Sequence, residues 1–121
     1  MNKKIKEALQ GIEPKVFYGI GRFQNRNNWD CIVYGRRRKG KTESGAGENI
    51  RYFVAIVKEE EIPEGMEENI FQAMKKLGFK QSNTETTYDY VEKSGETMVE
   101  IATMEFSKVE KRCRVEVTPK S

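Results

Sequence analysis

The chain has 121 residues, of which 36% are hydrophobic and 34% charged, and its net charge is +3 at neutral pH. This length fits one domain with one modest core, and the aromatic content (Trp 1, Tyr 5, Phe 6) argues against a disordered chain. No apolar run reaches the about 20 residues of a membrane-spanning helix. The N-terminus lacks the apolar segment of a secretory signal. Two cysteines without histidine exclude a disulfide framework and a structural zinc site, and favour a reducing cytoplasm.

The charges are unevenly distributed along the chain. Residues 1–42 have a net charge of +8, residues 43–105 have −8, and residues 106–121 have +3. This pattern favours a surface with regions of opposite sign, which attract copies of the same protein or steer a charged partner. The alternative is that strand pairing mixes the blocks in space and cancels the asymmetry.

The N-terminal part predicts one short helix followed by extended and turn-rich chain. Apolar residues recur at helical spacing over residues 2–11, and Gly11 ends the pattern. Residues 16–18 fit a short strand or an extended lead-in, and residues 21–28 are rich in turn formers.

Two apolar strands are predicted next, with a long segment between them. Residues 29–34 form the first strand, with Trp29, Cys31 and Val33 on one face, and residues 50–57 form the second. Residues 35–49 contain no apolar residue larger than alanine. We therefore expect a long, flexible, basic and glycine-rich loop at 35–49.

The C-terminal half predicts one central helix and a hairpin. Residues ~64–77 have an apolar stripe at helical spacing, with acidic residues in the first turn and lysines in the last. Residues 86–92 and 96–106 read as two strands joined by a tight turn. The segment 109–121 is expected to be a mobile tail or an additional edge strand, with period-two spacing at 113–117.

These elements predict an α+β fold in a single domain that spans residues 1–121. It contains a short N-terminal helix and a mainly antiparallel sheet of about four or five strands, packed against the helix at ~64–77. The strand at 50–57, the central helix and the following strand are also compatible with one crossover unit.

One segment matches the Walker A pattern of nucleotide-binding loops. Gly35-Arg-Arg-Arg-Lys-Gly-Lys-Thr42 fits G-x-x-x-x-G-K-T and follows a strand. Triphosphate binding also requires a helix that begins at Lys41, because its N-terminal amides hold the phosphates. The following residues are glycine-rich and lead to a strand, so we do not predict a nucleotide site.

The acidic run in the middle of the chain allows two interpretations. Its members are Glu59, Glu60, Glu61, Glu64, Glu67 and Glu68. A metal site or a catalytic carboxylate pair is one interpretation, and solvated charge that complements the helix dipole is the other. No pattern selects a catalytic base, and the sequence predicts no catalytic residue, no metal ligand and no cofactor. We expect a protein that is not an enzyme, and we treat these glutamates as a candidate face for contact between subunits.

The basic residues Arg36, Arg37, Arg38, Lys39 and Lys41 form a candidate interaction loop. They fit phosphate neutralisation in a nucleic-acid-binding module. They equally fit contact with an acidic surface of a neighbouring subunit. A solvated loop without a partner is the third interpretation.

Several segments together resemble a known family. These are residues 29–36, the strand that starts at Tyr52, Ile62-Pro-Glu-Gly65, Tyr88-Asp-Tyr90 with Lys93, and Val99-Glu-Ile-Ala102. Their order and spacing resemble small proteins encoded among the head–tail joining and tail genes of siphophages and prophages of low-GC Gram-positive bacteria. The resemblance covers most of residues 15–113, and the family is similar to tail terminator, or tail completion, proteins with an α+β fold.

The resemblance implies a structural role in the virion. Such proteins form a homo-oligomeric ring, commonly a hexamer, that caps the tail tube and joins it to the head connector. The implied partners are further copies of the chain, the tail tube and the head connector, with transient contact to DNA in the channel and no membrane. The implied location is the host bacterial cytoplasm during assembly and the virion neck or tail afterwards. The family supplies no catalytic residues.

Overall fold

Two helices and six strands make up the described part of the chain. The structure, a computed structural model, describes residues 1–21, 28–42, 45–82, 85–95 and 97–111. The elements are α1 (Asn2–Gln10), β1 (Val16–Tyr18), β2 (Cys31–Lys41), β3 (Gly47–Glu59), α2 (Met66–Lys76), β4 (Lys80–Gln81), β5 (Thr87–Ser94) and β6 (Thr97–Lys111). The predicted α+β fold with a mainly antiparallel sheet is confirmed, with six strands in place of four or five.

All six strands belong to one sheet, which runs β1-β2-β3-β6-β4, with β5 paired to β6. β6 has β3 on one side, and β5 and β4 follow each other on its other side. Among the strand pairs of the described residues, only β1–β2 is parallel. Because β3 and β4 are both antiparallel to β6, they run parallel to each other with β6 between them. The predicted crossover through α2 is therefore present. It connects β3 to β4, and β6 lies between these two strands in the sheet.

Both helices pack on the same face of the sheet, which we call the helix-covered face. Ile5 and Leu9 of α1 and Ile70 and Met74 of α2 have no exposed surface. They join one apolar cluster with alternate residues of the central strands, namely Ile32, Tyr34, Tyr52, Val54, Ile56, Ala102, Met104 and Phe106. The side chain of Asn2 accepts a 2.7 Å hydrogen bond from the Tyr52 phenol, which also fixes the start of α1 against the core.

The opposite face, which we call the helix-free face, has a smaller apolar cluster. Cys31, Val33, Ala55, Val57 and Val99 are buried there. Four larger side chains lie partly buried against them: Phe17, Trp29, Phe53 and Ile101. The alternation of these residues with those of the helix-covered face follows from the period of two of a β-strand. It also confirms that Trp29, Cys31 and Val33 share one face.

The bounds of α2 are tighter than the predicted 64–77. Gly65 has φ 87°, a left-handed conformation that cannot belong to a right-handed helix, so the helix begins at Met66. Glu67 and Glu68 lie in its first turn and Lys75 and Lys76 in its last, in the arrangement that complements the helix dipole.

The prediction of a loop over residues 35–49 is wrong for most of that segment. β2 continues to Lys41 and β3 starts at Gly47, so both strands of the hairpin are paired, with Lys39 opposite Ile50 and Lys41 opposite Glu48. Backbone hydrogen bonds do not require apolar side chains, and exposed strands commonly carry charged residues. At the end of the paired strands, Thr42 N–H donates to the carbonyl of Gly47 over 3.0 Å, and residues 43 and 44 lie outside the described residues.

Residues 109–111 of the predicted C-terminal tail belong to β6. β6 extends to Lys111 because its end pairs with the start of β3, with Lys111 opposite Gly47. Residues 112–121, including the strand expected at 113–117, lie outside the described residues. The predicted hairpin between β5 and β6 is confirmed, and Gly95 occupies its turn with φ 61°.

Candidate interaction surfaces

The basic residues of the sequence lie along one edge of the sheet. β1 pairs only with Ile32–Tyr34 of β2. Beyond Tyr34, the outer side of β2 has no strand partner in the part of the chain that the structure describes. Arg36, Arg37, Arg38, Lys39 and Lys41 all lie in this stretch and are exposed. We call it the basic edge, since the predicted interaction loop is in fact half of an edge strand.

Contacts within the chain orient three of these basic side chains. Arg36 Nε donates a 3.0 Å hydrogen bond to the Tyr18 phenol, and this bond raises the pKa of Arg36. Arg37 lies 3.5 Å from Glu105. Lys39 lies 3.6 Å from Glu48. These pairs are partly exposed, so each one contributes little to stability and leaves most of the positive charge available to a partner.

The sheet register assigns the basic residues to faces. Arg36 is opposite Tyr52, and Lys39 is opposite Ile50. Both of these partners contact the core cluster under the helices. Directly opposed residues of an antiparallel pair project to the same face, so Arg36 and Lys39 project to the helix-covered face. Lys41, two residues beyond Lys39, projects to the same face.

The structure separates the six glutamates that were predicted to form one acidic face. Glu59 ends β3 on the helix-free side, opposite Val99. Glu67 and Glu68 lie in the first turn of α2, on the other side of the sheet. Glu60, Glu61 and Glu64 lie in the exposed connection between these two elements. The six glutamates are thus distributed over the end of a strand, a connection and the start of a helix. They therefore do not form a single face.

Glu59 is engaged inside the chain. It accepts a 2.7 Å hydrogen bond from the backbone N–H of Trp29 and lies 2.5 Å from the Lys93 ammonium. The hydrogen bond from Lys93, followed by that from Trp29, lowers the pKa of Glu59. The Lys93 ammonium also lies 5.5 Å from the centre of the Trp29 ring. Glu59 therefore stabilises the fold and is not free for a partner.

An acidic surface of different composition lies along β5, at the edge of the sheet opposite β2. The Tyr88 phenol donates a 2.6 Å hydrogen bond to Glu67, which raises the pKa of Tyr88 to about 12. The Tyr90 phenol donates a 2.7 Å hydrogen bond to Glu100 of β6. Glu92 is exposed in the same strand. We call β5 together with Glu67, Glu92 and Glu100 the acidic edge.

Glu100 is the most strongly positioned carboxylate of the acidic edge. One of its oxygens accepts a 2.9 Å hydrogen bond from the Ile62 N–H and the other accepts from Tyr90. The bond from Ile62 is the larger cause of the lowered pKa of Glu100, and the bond from Tyr90 is the second. A carboxylate held on both oxygens keeps its negative charge at a fixed position.

Tyr88, Tyr90 and Glu100 were not among the candidate interaction residues predicted from the sequence. Tyr88 and Tyr90 alternate along one strand, and Tyr90 is opposite Glu100 in β6. The predicted hairpin, with its turn at residues 93–95, would place Tyr88 opposite Glu100, whereas the register shift between Glu92 and Ser94 brings Tyr90 opposite Glu100.

The segment that matches the Walker A pattern does not have the required conformation. Lys41 is the last residue of β2 and is opposite Glu48, while Gly47 already starts β3. No helix begins at Lys41, so the amides between Gly35 and Lys41 do not surround an anion at a helix N-terminus. The match is confined to the letters of the motif.

The helix-free face has an apolar groove of about 360 Å³. Its lining residues are Trp29, Val33, Phe53, Ala55, Val57, Val91, Val99 and Ile101. One ion pair lies near each end, Lys93–Glu59 and Arg37–Glu105. The Arg37 guanidinium also lies 5.0 Å from the centre of the Phe53 ring.

Over residues 1–21, 28–42, 45–82, 85–95 and 97–111, no helix has the length and apolar character needed to cross a membrane. The same residues contain no group of three or more acidic, cysteine or histidine side chains arranged to hold a metal ion.

Neither the protein-family models nor the curated proteins give a match to this chain.

Proposed function

We propose that this protein is a structural subunit of the neck or tail of a long-tailed bacteriophage. In this proposal it is a tail terminator or head–tail joining subunit that assembles as a ring, commonly of six copies, on the tail tube. It works in the host cytoplasm during assembly and afterwards in the virion. The resemblance of residues 15–113 to small siphophage and prophage tail proteins supplies this role.

One structural observation supports the proposal. The basic edge and the acidic edge lie at opposite sides of one sheet. Two different and complementary surfaces on one subunit favour head-to-tail association, which closes into a ring when the rotation between neighbours allows it. Strand pairing offsets part of the charge asymmetry of the sequence, through the Arg37–Glu105 and Lys39–Glu48 pairs, and the two edges retain opposite sign.

Deletion of the gene from a phage or an inducible prophage that encodes the chain tests the role. The deletion is expected to yield filled heads and separate tails, with tails of irregular length, in electron micrographs of the lysate. Expression of the intact chain from a plasmid should restore joined virions. Normal numbers of complete virions in the deletion strain would refute the proposal.

A nucleic-acid-binding module is the second candidate function. The basic edge supports it, because five basic side chains lie together on an exposed strand and, among the described residues, their ion pairs are those of Lys39 with Glu48 and Arg37 with Glu105. Such a surface would neutralise phosphates, with an affinity that falls steeply with salt.

A gel-shift titration with double-stranded DNA across several salt concentrations tests this second function. An intrinsic DNA-binding protein should bind DNA at physiological salt and lose affinity in the K39Q/K41Q variant. The K75Q/K76Q variant, which removes two exposed lysines of α2, is the matched control. Equal DNA affinity of the two variants would exclude the basic edge as the DNA-binding surface.

A further inference from the structure

We propose that β5 of one copy pairs, strand to strand, with the basic edge of β2 in the next copy. The sheet then continues across the contact between subunits. This inference rests on the proposed assembly function, because it names the surfaces through which such a ring closes.

Both edges offer backbone groups for this pairing. In the described part of the chain, β2 beyond Tyr34 has a neighbour only on its β3 side, and β5 has one only on its β6 side. An edge strand presents a row of N–H and C=O groups to any strand that approaches. Residues 35–41 and the eight residues of β5 are similar in length, and each strand extends about 23–27 Å.

The side chains on the helix-covered face make the two edges complementary. Arg36, Lys39 and Lys41 project to this face on β2. On β5, Tyr88 is opposite Ala102, which is part of the core under the helices, so Tyr88, Tyr90 and Glu92 project to the same face. When the two strands pair with these faces aligned, three cations meet Glu67, Glu92 and Glu100. Complementary charge of this kind selects the partner and accelerates association.

The tyrosines hold two of these carboxylates in place before a partner arrives. Tyr88 binds Glu67 at 2.6 Å and Tyr90 binds Glu100 at 2.7 Å. A carboxylate that is already oriented loses less freedom when a cation approaches it. The arrangement on β2 is similar, because Tyr18 accepts the Arg36 hydrogen bond at 3.0 Å.

Exposed apolar and aromatic surface accompanies the charges at both edges. Tyr88 is 47% exposed, Tyr90 58% and Met98 53% at the acidic edge. At the other edge, Tyr18 is 46% exposed and Ile20 65%. Burial of such side chains stabilises a contact, and tyrosines are frequent among the residues that dominate binding energy.

The basic edge also carries features that prevent pairing with unrelated strands. The register between β2 and β3 shifts between Arg36 and Arg38, which indicates a β-bulge. Bulges and lysines are common means of protecting an edge strand. A partner strand that places carboxylates beside Lys39 and Lys41 neutralises their charge and can therefore still pair with this edge. The competing interpretation, in which the charges only protect the edge, predicts that no copy of the chain binds there.

A charge-exchange experiment separates these interpretations. One variant carries Lys39→Glu and Lys41→Glu, and the other carries Glu67→Lys and Glu92→Lys. Each variant alone is expected to lose self-association, with a rise of the dissociation constant of about tenfold or more. An equimolar mixture restores association, because each contact between the two different variants joins opposite charges. Analytical ultracentrifugation over a range of concentrations measures both effects. A mixture that associates no better than its separate components overturns the proposal.

A cross-linking experiment does not depend on the folding of the charge-exchange variants. In a background with Cys113→Ser, one chain carries Lys39→Cys and another carries Glu92→Cys, while Cys31 is buried. A short bifunctional maleimide should join these two chains to each other in preference to like chains. Lys75→Cys replaces Lys39→Cys in the control pair, since Lys75 lies on an exposed part of α2. A 39–92 yield equal to that of the 75–92 control overturns edge pairing.

The two proposals fail in different ways. If the 39–92 cross-link does not form but deletion of the gene separates heads from tails, the virion role stands and the contact between subunits lies elsewhere. If the cross-link forms and the deletion strain assembles normal virions, strand pairing stands and the virion role is wrong.

Discussion

The Tyr88 phenol donates a 2.6 Å hydrogen bond to the Glu67 carboxylate and thereby connects the edge strand β5 to the first turn of α2. The hydrogen bond favours the protonated phenol, because ionisation would place a second negative charge beside Glu67. The pKa of Tyr88 consequently rises from 10.0 to about 12.

The Glu67→Gln variant should return the pKa of Tyr88 toward 10.0, the ordinary value for tyrosine. A raised folded-state pKa means that the bond stabilises the fold below about pH 10 and that this contribution is lost as the pH rises toward about 12. Residue-specific NMR titration of tyrosine ring carbons measures the shift. The Glu68→Gln variant is the control, because Glu68 lies in the same helical turn but accepts from Gln72. An unchanged Tyr88 titration in Glu67→Gln would contradict the assigned hydrogen bond.

The ion pair between Glu59 and Lys93 predicts a specific loss of stability in acid. The folded-state pKa of Glu59 lies below the ordinary value of 4.5, so its contribution is present above about pH 4.5 and disappears as the pH falls through the folded-state pKa. In Glu59→Gln, the urea midpoint should be lower than that of the wild type at pH 7 and should fall less on acidification. Urea titrations at a series of pH values provide the measurement. Glu64→Gln, at an exposed position of the next connection, should keep the wild-type profile.

Two glycines of the β2–β3 hairpin should respond differently to alanine. A Cβ atom at Gly47 would lie 2.9 Å from the carbonyl oxygen of Glu110, which is too close for undisturbed pairing of β3 with β6. Gly47→Ala is therefore expected to lower the free energy of unfolding by about 1–3 kcal/mol. Gly40 has nothing within 4 Å of the corresponding Cβ position, so Gly40→Ala should change stability by less than about 0.5 kcal/mol. Equal urea midpoints for the two variants would show that the end of β6 moves to accommodate the added methyl group without loss of stability.

The attachment of α1 depends on Leu9. Its side chain has no exposed surface and belongs to the core cluster, and its truncation should reduce the free energy of unfolding by about 2–5 kcal/mol. Lys6→Ala removes a side chain from the exposed side of the same helix and should leave stability within about 0.5 kcal/mol. Chemical denaturation followed by circular dichroism gives both values. If Leu9→Ala matched the control, α1 would not be part of the cooperative unit.

The sequence predicted those elements whose side chains alternate between core and solvent. α1 and α2 have buried residues at helical spacing, and the β5–β6 hairpin has a turn glycine, Gly95, between two periodic segments. Their existence and order agree with the structure. The boundary at Gly65 was missed because the composition of the first turn favours a helix, whereas the left-handed backbone of Gly65 excludes it.

The distal half of β2 was not predictable from composition. Residues 36–41 bury no apolar side chain, and their extended conformation is maintained by backbone pairing with β3. Sequence patterns report where side chains are buried, but not which backbone groups find a neighbour across the sheet. The same limit explains why the six glutamates were grouped together, since Glu59 and Glu67 are close in sequence and lie on opposite sides of the sheet.

The long register between β3 and β6 has a mechanical consequence. The two strands pair continuously from Gly47–Lys111 to Glu59–Val99 without a shift. Tension applied along these strands would load all of their hydrogen bonds in shear and at the same time, whereas a pull across the sheet would open them one after another. A domain built on these two strands resists stretching most strongly along a single axis, the axis on which β3 and β6 lie.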